Sequence, residues 1–303
     1  MTDPANPASV AARRHWPSVL GLAFMRVLAR LPLPWVRALG WLLGTVLHAL
    51  AGRRRRIALT NWRLCFPDQT QAQAQAAIRR HFVYFAQAWL DRSWLWEGRP
   101  AVVRQRITLV GEVDALKALP TAVLFAPHFV GMDAGWTGIT AHLEREFCGI
   151  YAEQLNPEVD RWMAQGRSRF GHPHIVEKRD GAKPMVAALR AGKPLYLLPD
   201  MDHGLRDSVF APFFGVQAAT LTSLPRFAQL GRAAVVPVTT RIVPGGVEVR
   251  IWPAWAGYPT KDLQADVNFM NQQLEHMVRQ HPEQYYWVHK RFKTRPPGEA
   301  SFY

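Results

Sequence analysis

Residues 121–136 read TAVLFAPHFVGMDAGW, and the fold turns on how they are read. An apolar run stops at Ala126-Pro127, His128 follows, and Asp133 comes five residues later as a helix-like pattern of small and apolar residues resumes. The spacing predicts a strand that delivers a histidine to its carboxyl end, then a turn at Gly131 into a helix whose first turn carries Asp133. Open α/β sheets place their ligands at that end of the strands. From there a carboxylate reaching back to one imidazole nitrogen would orient the ring and leave the other nitrogen free to take a proton from a hydroxyl. An isolated HxxxxD is equally a strand end followed by a helix cap, and the spacing alone leaves both readings open.

Working outward, the same alternation continues. Strands are predicted at residues 107–110, 122–126, 147–151, 194–198, 234–242 and 247–252, and helices at 133–143, 157–170, 183–191 and 221–230. Strands alternating with helices imply a mainly parallel α/β sheet flanked by helices. Pro244-Gly245-Gly246 predicts a turn that makes the last two strands an antiparallel hairpin. Further helices are expected at 57–66, 71–96, 113–118 and 265–280. Ile78, Phe82, Phe85 and Trp89 form one apolar stripe along the second of these, which reads as core.

A second apolar run, at residues 194–198, ends in Pro199-Asp200-Met201-Asp202-His203-Gly204, so two strands are expected to bring acid and base groups to one rim. Asp200 and Asp202 also suit a loop. No HExxH spacing accompanies these groups, and no metal is expected. Arg167 and Arg169, at the end of the helix begun at Pro157, suit an anionic group of a substrate, because guanidinium forks match phosphate. Phe210, Phe213 and Phe214 lie in an apolar loop expected to touch an acyl chain or a membrane, with core burial the alternative.

The chain of 303 residues carries 37 Lys+Arg against 23 Asp+Glu, a net charge of +14, which calls for an anionic partner surface. Residues 1–15 are expected to be disordered. Residues 16–56 are strongly apolar but broken by Arg26, Arg30 and Arg37 and by the Leu31-Pro32-Leu33-Pro34 kink, and they close on Arg53 to Arg56. Neither half presents a clean uncharged run of about 20 residues. Two amphipathic or re-entrant helices in the membrane interface are expected, their arginines snorkelling to phosphates. The four arginines at their end place the remainder on the cytoplasmic face. Residues 57–303 form one domain. No groove-reading or stacking motif supports nucleic acid. Cys65 and Cys148 have no CxxC spacing, so neither a disulfide framework nor a zinc site is expected.

Several stretches together resemble the bacterial lipid A biosynthesis acyltransferase family: NWRLCFPD at 61–68, APHFVGMD at 126–133, LNP and GRSR within 155–169, LPDMDHG with VFAPFFG within 198–215, and PEQYYWVHKRFKTRPPGE at 282–299. The resemblance implies a glycerol-phosphate-acyltransferase-like fold in the inner membrane, moving a fatty acyl chain from acyl carrier protein to a hydroxyl of a phosphorylated glucosamine lipid. It further implies His128 as base and Asp133 as its partner, within hydrogen-bond reach, with Arg167 or Arg169 and Asp200 matching the family's arginine and aspartate motifs. One departure is Ala152 after Tyr151, where family members carry an arginine. No cofactor is implied beyond the acyl carrier protein thioester as co-substrate, and the absence of a GxSxG elbow fits direct transfer without an acyl-enzyme. Transfer to another glycolipid or lysophospholipid, hydrolysis of the thioester, and binding of an anionic surface without catalysis remain the alternatives.

Overall fold

The computed structural model describes residues 16–303; the disorder expected of residues 1–15 lies outside them. Its centre is a seven-stranded sheet in the order β1-β9-β8-β2-β5-β3-β4. These strands are β1 Ile107–Gly111, β2 Ala122–Phe125, β3 Cys148–Tyr151, β4 His174–Glu177, β5 Leu195–Leu197, β8 Ala234–Val243 and β9 Gly246–Ile251. All neighbours run parallel except β8 and β9, which form the expected antiparallel hairpin. Successive side chains of a strand face opposite sides, and both sides are buried here. Val123, Phe125, Leu195 and Leu197 enter one core, whereas Ala122, Leu124, Tyr196 and Val236 enter the other.

The helices divide between these two layers. They are α1 Trp16–Leu28, α2 Leu33–Leu50, α3 Gly52–Cys65, α4 Gln71–Glu97, α5 Pro100–Arg106, α6 Val113–Ala118, α7 Met132–His142, α8 Pro157–Arg167, α9 Lys183–Arg190, α10 Ser223–Gly231 and α11 Leu263–Gln280. The longest, α4, opens on a capping box in which Thr70 and Gln73 satisfy each other's backbone amides. A separate antiparallel hairpin, β6 Ser208–Phe213 and β7 Val216–Leu221, packs against α11.

Two elements depart from the pattern expected of the sequence. The apolar loop expected around residues 210–215 is the turn of β6 and β7. Pro212, which argues against a strand, is tolerated because this two-stranded ribbon is all edge. Phe213 is fully buried against Tyr285 and Phe292, and Phe214, partly buried, packs on Phe66; neither ring is free to meet a membrane, and Phe210 is half-buried. Strand β4 was not expected at all. It is a sheet edge of four residues in which Val176 alone is buried, too little for an apolar run.

The N-terminal hairpin is amphipathic. Met25 and Leu28 of α1 and Leu33 and Val36 of α2 join the core, while Trp16, Leu20, Phe24, Trp35, Trp41, Leu42 and Leu50 face outward. Gly40 and Gly44 seat α2 tightly on α4, since a Cβ at either position would lie within 2.6 Å of Gln87 or Val83 atoms. Arg37 does not snorkel outward: it points inward, both Asp91 oxygens accept from its Nη1 at 2.7 Å, and its Nη2 donates to the Gly246 carbonyl at 3.0 Å. Arg26 and Arg30 remain exposed. By length and composition, α2 is the one helix among the described residues that could cross a membrane. Helix α3 runs unbroken from Gly52 through the four arginines, and Arg55 folds back onto the end of α2, donating to the Ala49 carbonyl at 3.0 Å.

Candidate functional site

Parallel pairing of β2 with β5 puts Phe125 opposite Leu197. One more ladder bond, from Ala126 N–H to the Leu197 carbonyl at 2.9 Å, carries the pairing past the strand end. Both chains then meet a proline, Pro127 and Pro199, which cannot donate and so ends the ladder. The next residue on each chain is His128 on one and Asp200 on the other.

These two residues bond twice. The Nδ1–H of His128 donates to Asp200 Oδ1 at 2.7 Å, and the His128 backbone N–H donates to Oδ2 at 3.0 Å. The Tyr285 hydroxyl completes the set by donating to Oδ2 at 3.0 Å. Burial alone would raise the Asp200 pKa, but the charge and hydrogen bonds of His128 outweigh it and hold the carboxyl below its ordinary range. The His128 side chain is 15% exposed, and its Nε2 has no partner among the described residues.

Asp133 therefore does not orient His128. It starts α7, whose first turn faces α4 and α8, and there two guanidiniums clamp it. Arg92 of α4 donates Nε to Oδ2 at 2.8 Å, and Arg167 of α8 donates Nε and Nη2 to Oδ1 at 3.1 and 3.0 Å. Desolvation raises the Asp133 pKa, but the charges of Arg167 and Arg92 overcome it and bring the carboxyl down to about 2. Two cations on one anion leave one positive charge in excess, and the arginine side chains are 14% and 22% exposed. Arg92 also lies 5.6 and 5.7 Å from the ring centroids of Trp89 and Trp96, and Arg167 5.7 Å from that of Tyr151.

The other expected site residues are spent on structure. Arg169 donates to the carbonyls of Leu95 and Gly98, closing the end of α4. Asp202 accepts from the Thr294 backbone N–H at 2.6 Å and hydroxyl at 2.8 Å, fastening the C-terminal tail. Its own N–H donates to His289 Nε2 at 3.2 Å, and burial together with the charges of His128 and Arg291 brings His289 down to about 4. Two participants escaped the sequence reading. Arg92 had a signal, since Asp91-Arg92 is a charged pair inside the aromatic stretch at 89–96; Tyr285 lies in the tail stretch at 282–299 that carries the resemblance, but its role depends on where the tail returns.

A family described as Bacterial lipid A biosynthesis acyltransferase matches residues 6–294 of the chain. The chain belongs to this family. Among curated lipid A acyltransferases, the chain is 31% identical over 297 residues to the Lipid A biosynthesis palmitoleoyltransferase of Escherichia coli (strain K12), covering 96% of this chain and 95% of the relative. It is 29% identical to the lauroyltransferase of the same organism, with the same coverage, and 30% identical to its myristoyltransferase, covering 96% and 91%. In this lipid A acyltransferase family member, the paired loops after β2 and β5 and the arginine clamp around Asp133 account for the stretches at 126–133, 155–169 and 198–202.

Proposed function

We propose that the protein is an O-acyltransferase of lipid A assembly, moving a fatty acyl chain from an acyl carrier protein thioester to a hydroxyl of a phosphorylated lipid A precursor. The observation that carries this reading is the His128–Asp200 pair, which leaves Nε2 as a base open to an acceptor hydroxyl. Nε2 takes the hydroxyl proton as the oxygen attacks the thioester carbonyl carbon. The tetrahedral oxyanion collapses with cleavage of the C–S bond, and the imidazolium returns the proton to the departing thiolate, giving an ester and a free carrier thiol. Asp200 keeps the Nδ1–H tautomer and stabilises the imidazolium.

The clamp of Arg92 and Arg167, one positive charge in excess, suits a phosphate of the acceptor, with Asp133 holding the two forks in place. Asp133, ionised down to about pH 2, is not a proton carrier at working pH. The outward aromatic face of α1 and α2, followed by the exposed Arg53, Arg54 and Arg56, suits seating on the cytoplasmic leaflet of the inner membrane. The basic surface also suits an acidic carrier protein.

Incubating the purified protein with acyl carrier protein thioester, with and without a phosphorylated glucosamine lipid, tests the reading. Acylated lipid by mass spectrometry is expected; free fatty acid as the sole product would identify a thioester hydrolase instead.

A further inference from the structure

We infer that Tyr285 is a positioning residue for acyl transfer, its hydroxyl setting the plane of the Asp200 carboxylate against the His128 ring. The inference rests on the reading of His128 as base. Tyr285 is 3% exposed, and its ring is fixed by edge contacts with Trp287 and Phe129 at centroid distances of 5.0 and 5.9 Å and by a tilted contact with Phe213 at 6.0 Å. Its hydroxyl shares Asp200 Oδ2 with the His128 backbone N–H, each at 3.0 Å, while Oδ1 is left to Nδ1. With two donors on one oxygen and one on the other, the carboxylate cannot turn without breaking a bond. The phenol remains a donor, since burial and the Asp200 charge push its pKa far up.

The backbone on either side of Tyr285 holds the other half of the pair. Val130 N–H donates to the Gln284 carbonyl at 2.8 Å, and Tyr286 N–H donates to the His128 carbonyl at 2.9 Å. Phe129 and Tyr285 thus form an antiparallel bridge. One turn of the tail grips the histidine loop through its main chain and the aspartate through a side chain, so both partners are registered to a single element.

Tyr285→Phe removes the hydroxyl and keeps the ring. It is expected to lower kcat about tenfold, the worth of a hydrogen bond to a charged group, with KM for thioester and lipid changed less than twofold. In an Asp200→Ala background the same substitution is expected to change kcat less than twofold, because the group it acts through is gone. A wild-type kcat for Tyr285→Phe, or a tenfold loss that persists in the Asp200→Ala background, overturns the inference. Should Tyr285→Phe fail to fold, 4-aminophenylalanine at position 285 keeps the ring and returns an N–H donor to the place of the hydroxyl. Retention of kcat within about threefold supports the inference, and a loss equal to that of Tyr285→Leu overturns it. His128→Ala separates the two readings: activity surviving that substitution removes the base itself, whereas an inactive His128→Ala beside a fully active Tyr285→Phe removes only the role of Tyr285.

Discussion

His128 and Asp200 stand 72 positions apart in the chain, yet they meet at 2.7 Å because each follows its strand by three residues and the two strands are parallel neighbours. Asp200, and not Asp133, is the carboxylate bonded to Nδ1, and under the proposed mechanism it governs which tautomer the imidazole adopts. Asp200→Asn is expected to lower kcat by about 10³- to 10⁴-fold, the scale seen when a base histidine loses its tautomer-fixing carboxylate. Asp133→Asn is expected to act chiefly on KM for the lipid acceptor. Steady-state kinetics of the two variants side by side check the assignment, and equal losses of kcat would contradict it.

The arginine clamp makes a prediction about charge. Arg92→Gln is expected to raise the acceptor KM by roughly 10-fold or more, in line with the loss of a charge-assisted hydrogen bond. The effect should disappear with a dephosphorylated acceptor. Comparing the two lipids as substrates of wild type and variant gives the answer, and an equal KM increase for both would remove the phosphate from the argument.

Acid stability should bear the mark of His81. This fully buried ring donates Nδ1–H to the Glu283 carbonyl at 3.0 Å, and burial brings its pKa from 6.5 to about 4. The folded value lies below the unfolded one, so the unfolded chain binds the extra proton. Stability from this group is unaffected above pH 6.5, is lost as pH falls from 6.5 to 4, and changes no further below. The loss is roughly 3 kcal/mol at about 1.36 kcal/mol per pKa unit. His81→Asn, which keeps a donor toward Glu283, should flatten the urea stability curve over that window by a similar amount.

Arg37 and Asp91 are a buried ion pair, and breaking one side should cost far more than removing both. Arg37→Met is expected to destabilise by about 3–5 kcal/mol because it strands a buried carboxyl, and Arg37→Met with Asp91→Leu to recover most of that loss. Burial already raises the Asp91 pKa despite Arg37. Denaturant midpoints of the single and double variants decide it.

The outward face of the hairpin offers a fifth test. Trp35 is 70% exposed and Trp41 54%. Replacing both by Gln is expected to lower binding to anionic vesicles at least tenfold without lowering the denaturation midpoint. Co-sedimentation that stays at the wild-type level would place the membrane contact elsewhere.

The sheet was legible because its strands are short apolar runs bounded by prolines and glycines, and the β8–β9 hairpin because Pro244-Gly245-Gly246 admits little else. The parallel order was implied by alternation with helices. Strand β4 was hidden by its single buried side chain, and the β6–β7 hairpin by Pro212, which reads as a breaker unless the ribbon is known to have free edges. The misassigned partner of His128 has a different origin. Linear spacing offers only residues close in sequence, such as Asp133, and the family resemblance points to the same pair, whereas strand adjacency, which brings Asp200 into register, is a tertiary fact. Arg37 reads as outward-facing in the sequence for a similar reason: an arginine in an apolar helix looks like an interfacial anchor until its buried counter-ion, Asp91, is known.

Asp91 and Arg92 are consecutive residues of α4, one holding Arg37 of α2 and the other holding Asp133 of α7. The hairpin and the clamp are thereby bolted to the same stretch of one rigid rod. Sliding α2 against the central sheet requires breaking the ion pair one residue from the clamp, so there is no slack between them. If lipid seats the hairpin and His128 is the base, the height of that histidine above the lipid floor is built into the protein as a fixed gauge, and a head group must rise to it because the enzyme does not stoop.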